Sequence, residues 1–373
     1  MGLNKELDGL LIISLDQAVA APYCSLLLAD AGARVIKVER PEGDFARGYD
    51  SGANGKSSIF AWLNKGKESI CLNLDEINDR NLLFKMLENA DVLLSNLAPG
   101  SLEKRGFAGH KLREKNKKLI TCSITGYGDS EDAAKMKAYD FLVQAESGLC
   151  SVTGNEQGPT RVGVSITDLS TGLTAFSGIL RALHQRNTTG VGIDLKISMF
   201  DVIADWMNMP LLAHRYMDGA PKRVGLKHSF IAPYGAYKTK DKKEILISIQ
   251  NNREWKMFCN NVIGKPEFVE DIKFKNNTDR YENREILDNF IENIFLNLEK
   301  NILIEKLKSS KIAYANLNDV SDLSKHQFLR NQKAFYGDAE IEMADLPLKI
   351  EGERPKKVPL LNENNLKIRE EFV

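Results

Sequence analysis

The first third of the chain alternates short, almost wholly apolar runs with stretches whose apolar residues recur every three or four positions. Leu10–Leu15 (LLIISL), Arg34–Glu39 (RVIKVE), Ser69–Leu74, Asp91–Leu97 (DVLLSNL) and Leu119–Ile124 (LITCSI) read as buried strands. A segment from Pro22 to about Ala31, and Ile77–Asn89, read as helices between them. Continuous apolar strands alternating with helices imply an α/β fold with a parallel sheet covered on both faces. Ligands of such sheets gather beyond the carboxyl ends of the strands. The segments that follow those ends are Asp16–Pro22, Arg40–Arg47, Asn96–Gly100 and Thr125–Gly128.

The pattern continues with a helix from Asp168 to His184, a strand at Val191–Ile197 and a helix at Met199–Tyr216, whose apolar stripe around Trp206–Leu212 is expected in the core. It then changes character. Gly219–Gly235 is a connection rich in Gly, Pro and basic residues, and Tyr234–Lys238 with Glu244–Ile249 reads as a hairpin around a polar D-K-K turn. Helical patterns follow from Arg253 to about Leu307, interrupted by a polar loop at Asn276–Asp279. The expected organisation is a large domain over 1–200 completed by 330–373, a linker at 201–224, a small α+β domain over 225–315 and a return linker at 316–329.

Composition narrows the function classes. The chain has 373 residues with a formal net charge of zero, so it carries no electrostatic footprint for nucleic acid or an anionic membrane. Its 5 cysteines are odd in number, scattered and free of C-x-x-C spacing, which fits reduced thiols in a cytoplasmic protein. No histidine pair has metal-ligand spacing, so no metal is expected. No apolar run approaches the roughly 18 residues of a membrane span, and the first residues lack a signal-peptide core.

Candidate chemistry concentrates between Lys137 and Leu183, where two aspartates stand in unlike settings. Asp140 follows Tyr139 and opens an amphipathic run. Asp168 closes a β-branched run and opens a helix crowded with Ser170, Thr171, Gly172, Ala175, Ser177 and Gly178. An aspartate there has two readings: a helix N-cap, or a carboxylate nucleophile kept ionised by the helix dipole. Spacing alone leaves both open, and capping is equally open for Asp140. Neither standard phosphate-loop glycine pattern is present, so an anionic ligand would rely on side chains such as Arg40, Arg47, Lys104, Arg105 and Lys137. A serine-hydrolase elbow is absent too. His228 sits in an unusual loop, K-H-S-F-I-A-P-Y-G.

Several motifs together carry a resemblance: L-D-G at Leu7–Gly9, A-A-P-Y-C-S-L-L-L-A-D-A-G-A-R-V-I-K-V-E-R-P-E-G-D at Ala20–Asp44, A-D-V-L-L-S-N-L-A-P-G at Ala90–Gly100, then S-I-T-G-Y-G, Y-D-F-L-V-Q-A-E-S-G-L, T-D-L-S-T-G and H-S-F-I-A-P-Y-G. In this order, over almost the whole chain, they resemble the family III CoA-transferases and the related α-methylacyl-CoA racemases. The resemblance implies a Rossmann-like large domain with a small domain, two chains interlocked as a homodimer, and acyl-CoA and small carboxylic acids as substrates without a permanently bound cofactor. It implies that Asp168 is the nucleophile, passing through a mixed anhydride to an aspartyl-CoA thioester. It places CoA contacts on Arg40 (adenine side), Leu72, Asn96, Lys104 and Lys137, with Leu97 and Arg105 nearby, and lets Tyr139 and Asp140 line the substrate site. Under that reading the small residues beyond Asp168, Gly172 above all, leave room for covalent CoA. A substrate-placing glutamine of the formyl-CoA enzymes aligns with Val19, not Gln17, and its role does not carry over. The racemases have a histidine where Tyr139 stands, which favours transfer over racemisation; a racemase-type isomerase and a non-catalytic CoA-binding protein are the alternatives. D-Q-A-V-A-A-P, G-D-F-A-R-G-Y-D and F-D-V-I-A-D-W-M look most like the mesaconyl-CoA C1–C4 transferase branch, which implies dicarboxylates of the mesaconate, itaconate, citramalate or succinate class. Arg47, Arg223 and Lys227 are then candidates for the second carboxylate, with His228 beside them.

Overall fold

The computed structural model describes residues 3, 5–217 and 219–372. Six parallel strands form the central sheet: β1 (Leu11–Leu15), β2 (Arg34–Glu39), β3 (Lys67–Cys71), β4 (Val92–Ser95), β5 (Ile120–Thr125) and β6 (Asp194–Ser198), in the order β3-β2-β1-β4-β5-β6. Neighbouring residues of one strand enter opposite cores, as the pleat requires. Ile12 packs with helix α1 (Ala20–Asp30) and the long helix Ile166–Thr189, through Cys24, Leu28, Ala175 and Ile179. Ile13 packs on the other face with Leu83, Met86 and Leu87 of the Ile77–Asn89 helix and with Ile368 and Phe372 of the tail. This double cover is why the strands read as continuous apolar runs.

The chain divides into two compact units. One comprises residues 1–150, 161–211 and 330–373, and the other 151–160 and 212–329. The second unit is built on a three-stranded antiparallel sheet of Tyr234–Lys238, Glu244–Ser248 and Ala313–Asn316, whose core holds Trp255, Phe258, Phe295 and Leu303. From Arg330 the chain belongs to the first unit, where a hairpin (Asn331–Tyr336 with Ala339–Ala344) precedes the last helix, Asn365–Glu371. Among the described residues no helix is long and apolar enough to cross a membrane.

Several expectations are corrected. The third strand starts at Lys67 rather than Ser69, and the sixth spans Asp194–Ser198 rather than Val191–Ile197. Met199–Tyr216 is two helices, Met199–Trp206 and Asn208–Tyr216, so the stretch expected as a linker from 201 is largely helical. Its apolar stripe is not core: Trp206, Met209 and Leu212 are 55%, 60% and 48% exposed. The polar run at Asn276–Asp279 starts a helix instead of a loop, because the Asn276 side chain accepts the Asp279 N–H and caps it.

Candidate active site

Strand order reverses between β1 and β4, and that is where an open α/β sheet parts to form a ligand crevice. Asn96, just past β4, bridges the opening by holding Gln17 at both backbone groups: its Oδ1 accepts the Gln17 N–H (3.0 Å) and its Nδ2 donates to the Gln17 carbonyl (2.8 Å). Beside this bridge lies a cleft of about 450 Å³ whose lining includes Arg40, Leu72, Leu97 and Arg105, four of the residues expected around CoA. Arg40 is well exposed, its Nε donating to the Gly43 carbonyl, and Arg105 is half-exposed and pairs with Asp75 (2.9 Å). Lys104 and Lys137 are exposed and make no ion pair among the described residues. Gly126 explains how the Lys137–Tyr139 segment reaches this end of the sheet: a Cβ there would sit 2.0 Å from the Ala138 Cβ.

Beneath the cleft the strands carry charge where the pattern predicts apolar side chains. Lys37, fully buried in mid-strand, pairs with Asp16 and with Asp44 (2.9 Å), and Lys67 approaches Asp16 at 3.4 Å. Burial alone would push the Asp16 carboxyl up, but the two lysines hold it well below the usual carboxylate range. Glu39 is held in a fork by Arg47 (2.7 and 2.8 Å), whose guanidinium also lies 3.9 Å over the Phe60 ring and donates to the Tyr336 hydroxyl. Arg47, expected as a substrate cation, is part of this frame, with four of its five donors engaged by Glu39, Tyr336 and the Pro359 carbonyl.

Asp168 is not a helix cap. The helix begins at Ile166, and Asp168 is its third residue. The cap comes from Asp140, 28 positions earlier in sequence: its Oδ1 accepts the N–H groups of Thr167 (2.8 Å) and Asp168 (3.3 Å). Gln144 fixes Asp140 from the other side, donating to its Oδ2 (2.7 Å) while accepting the Val162 N–H (2.9 Å). With the orphan donors of the first turn taken by Asp140, the Asp168 side chain has no cation partner among the described residues. Burial, then the charge of Asp140, pushes the Asp168 carboxyl up to about 7, the reverse of the expected dipole-stabilised carboxylate.

One turn beyond Asp168 on the same face, Gly172 packs against α1, where a Cβ would lie 2.5 Å from the Ala20 carbonyl oxygen. Gly172 serves this close helix contact, not space for a ligand, whereas Gly178 faces Leu195 and Ile197 of β6. Tyr49 belongs to the same neighbourhood: burial, Asp44 and Asp168 push its hydroxyl up to about 12. Tyr139 is 64% exposed next to it. Arg223 and His228 lie in the second unit. Arg223 donates to the carbonyls of Asn155 and Ser151 (both 3.1 Å), and His228 stacks on Tyr234 with ring centroids 5.1 Å apart. Lys227, likewise in that unit, pairs with Asp288 at 2.7 Å. Among the described residues no group of three or more His, Cys, Asp or Glu is placed to hold a metal ion.

Sequence reasoning missed Asp16, Lys37, Asp44, Tyr49 and Gln144. For two of them a signal existed: a lysine at the centre of an apolar strand, R-V-I-K-V-E, and an aspartate straight after another strand mark a buried ion pair.

Known proteins match this arrangement over nearly its full length. The acetyl-CoA:oxalate CoA-transferase of Acetobacter aceti is 34% identical, covering 98% of this chain and 95% of its own. The succinyl-CoA:mesaconate CoA-transferase of Haloarcula hispanica is 29% identical, covering 98% and 96%. A crystal structure of a CAIB/BAIF family protein from Brucella suis superposes with a TM-score of 0.84 at 28% identity over 100% of both chains. The sequence profile of CoA-transferase family III matches residues 7–365, and the chain belongs to that family of CoA-transferases.

Proposed function

We propose that this enzyme moves CoA between short-chain dicarboxylic acids through a covalent intermediate on Asp168. The supporting observation is the uncompensated Asp168 carboxyl, fixed through its own N–H by Asp140 and pushed up to about 7. The chemistry follows from that environment. An ionised Asp168 oxygen attacks the donor thioester carbonyl, the C–S bond breaks, and CoA leaves as the thiolate. The thiolate then attacks the Asp168 side-chain carbonyl and releases the donor carboxylate, which leaves aspartyl-CoA. The acceptor carboxylate attacks aspartyl-CoA, and the same steps in reverse release the new thioester and restore Asp168. No proton is gained or lost. Acylation neutralises Asp168, so the burial and the Asp140 charge that favour its neutral form also favour the covalent intermediate.

Exposed cations flank this route: Arg40 and Arg105 at the cleft and Lys104 and Lys137 beyond it suit the phosphates of CoA. The substrate class rests on the relatives, whose names specify oxalate, mesaconate and succinyl-CoA. In this reading donor and acceptor are two diacids or the two carboxyls of one, as in C1–C4 transfer on mesaconyl-CoA. In this reading the enzyme works as a homodimer, whose interface would cover the exposed apolar side chains of Phe141, Leu142, Leu173, Leu180, Trp206 and Met209.

A panel of succinyl-, mesaconyl- and itaconyl-CoA against the free diacids and matched monocarboxylates tests the reading. We expect diacids to exceed monocarboxylates in kcat/KM by tenfold or more, about 1.4 kcal/mol. Equal use of monocarboxylates overturns the substrate class, and full activity of Asp168→Ala overturns the mechanism.

A further inference from the structure

Asp44 is 5% exposed and three separate elements converge on its carboxylate. One oxygen accepts the N–H of Ala18 (3.1 Å) and of Ala46 (2.9 Å), and the other accepts from Lys37 Nζ (2.9 Å). Its own N–H donates to Glu39 Oε2 (3.0 Å). Ala18 is the residue that needs this support. It lies at φ 63°, the left-handed region that a side chain other than glycine's adopts only when its surroundings over-determine it. Asn96 fixes the residue before it, and the residue after it, Val19, is the N-cap of α1 with no side-chain cap of its own. The next carbonyl, that of Ala20, is the one that meets Gly172, a turn from Asp168. On its other side Asp44 caps the short turn Phe45–Gly48 that ends at Tyr49.

We propose that Asp44 is a positioning residue for transfer: it holds Ala18 in the left-handed conformation and so fixes the Gln17–Val19 loop against the helix that carries Asp168. The inference rests on Asp168 being the nucleophile. Asp44 does not touch substrate; it acts on the geometry of the chemical step, so its loss should appear in kcat and not in CoA binding.

Three variants of the full-length enzyme test this, read by steady-state kinetics and amide hydrogen exchange. Asp44→Ala is expected to lower kcat by about tenfold to a hundredfold with KM for the CoA thioester within about threefold, as a misplaced reacting geometry does. The peptide spanning residues 17–19 should exchange faster while that of β5 does not. Asp44→Asn, which keeps an acceptor for the Ala18 N–H, should recover most of kcat. Ala18→Val breaks the left-handed turn without touching the ion pairs, and keeps the test intact where Asp44→Ala fails to fold; it should show the same loss in kcat alone. Unchanged kcat in Asp44→Ala or Ala18→Val, equal losses in Asp44→Asn and Asp44→Ala, or a KM change larger than the kcat change overturns the proposal. Asp168→Ala is measured in parallel. If it stays active the nucleophile assignment fails, and exchange at residues 17–19 alone then decides whether Asp44 holds the loop.

Discussion

Two groups of buried or half-buried carboxylates stand in the first unit and have opposite fates. Asp16 and Asp44 share Lys37, with Lys67 close behind, and Asp16 is kept ionised well below the ordinary range. Asp168 has a carboxylate for its neighbour and no cation among the described residues, and is pushed up to about 7. Burial raises both; the partner decides the sign. The first group is a frame, in which every carboxylate oxygen and every ammonium proton finds a partner. The second carries unrelieved electrostatic cost, and such sites are where chemistry is found. The compensated group holds the loop that leads into the helix packed on Gly172, one turn from the uncompensated one.

The sharpest break of this comparison is removal of Asp168 itself. Asp168→Ala should lower transfer by about 10⁴-fold or more, roughly 5 kcal/mol, in a coupled assay of acyl-CoA formation. Next, Lys37→Met leaves Asp16 and Asp44 buried without their shared cation. It should destabilise the enzyme by about 3–5 kcal/mol in urea unfolding, whereas Asp168→Asn should not destabilise it at all. Gly172→Val drives a side chain into the Ala20 carbonyl and should cost about 1–3 kcal/mol in the same measurement, with activity falling as the fold does. Asp140→Asn keeps an acceptor for the Thr167 and Asp168 N–H groups but removes the charge. It should move the acid limb of kcat/KM down by about one pH unit, or ~1.4 kcal/mol.

Stability against pH should carry the same contrast at smaller amplitude. Asp168 binds its proton more tightly folded than unfolded, so its contribution to stability falls as pH rises from about 4 through 7. Asp168→Asn removes that decline and should raise Tm at pH 8 by about 2–4 °C. Asp16 works in the other direction: its contribution is fully present above about 4 and is lost as pH falls below.

Much of the frame was legible in the sequence because its strands are buried on both faces and its helices on one. Periodicity located β1, β2, β4 and β5 to within a residue or two of their positions. What escaped depended on contacts far apart in the chain. Asp168 looks like a cap because an aspartate before an apolar-periodic helix usually is one; only the fold brings Asp140 across 28 positions to take that place. Gly172 looks like room for a ligand until α1 is packed on it. Trp206 and Met209 look like core because an apolar stripe does not state what covers it. Arg47 looks like a free cation because two of its partners, the Tyr336 hydroxyl and the Pro359 carbonyl, arrive from the far end of the chain.

Asp168, as the uncompensated carboxylate, is the group expected to become acylated. The direct measurement is peptide mass spectrometry after incubation with succinyl-CoA and acid quench, repeated from pH 5 to 8 on the native enzyme and on Asp140→Asn. CoA is expected on the peptide containing Asp168, its formation rate rising through pH 7 in the native enzyme and at lower pH in Asp140→Asn. Adduct on a different residue, or a rate on Asp168 that ignores both pH and Asp140, would contradict this.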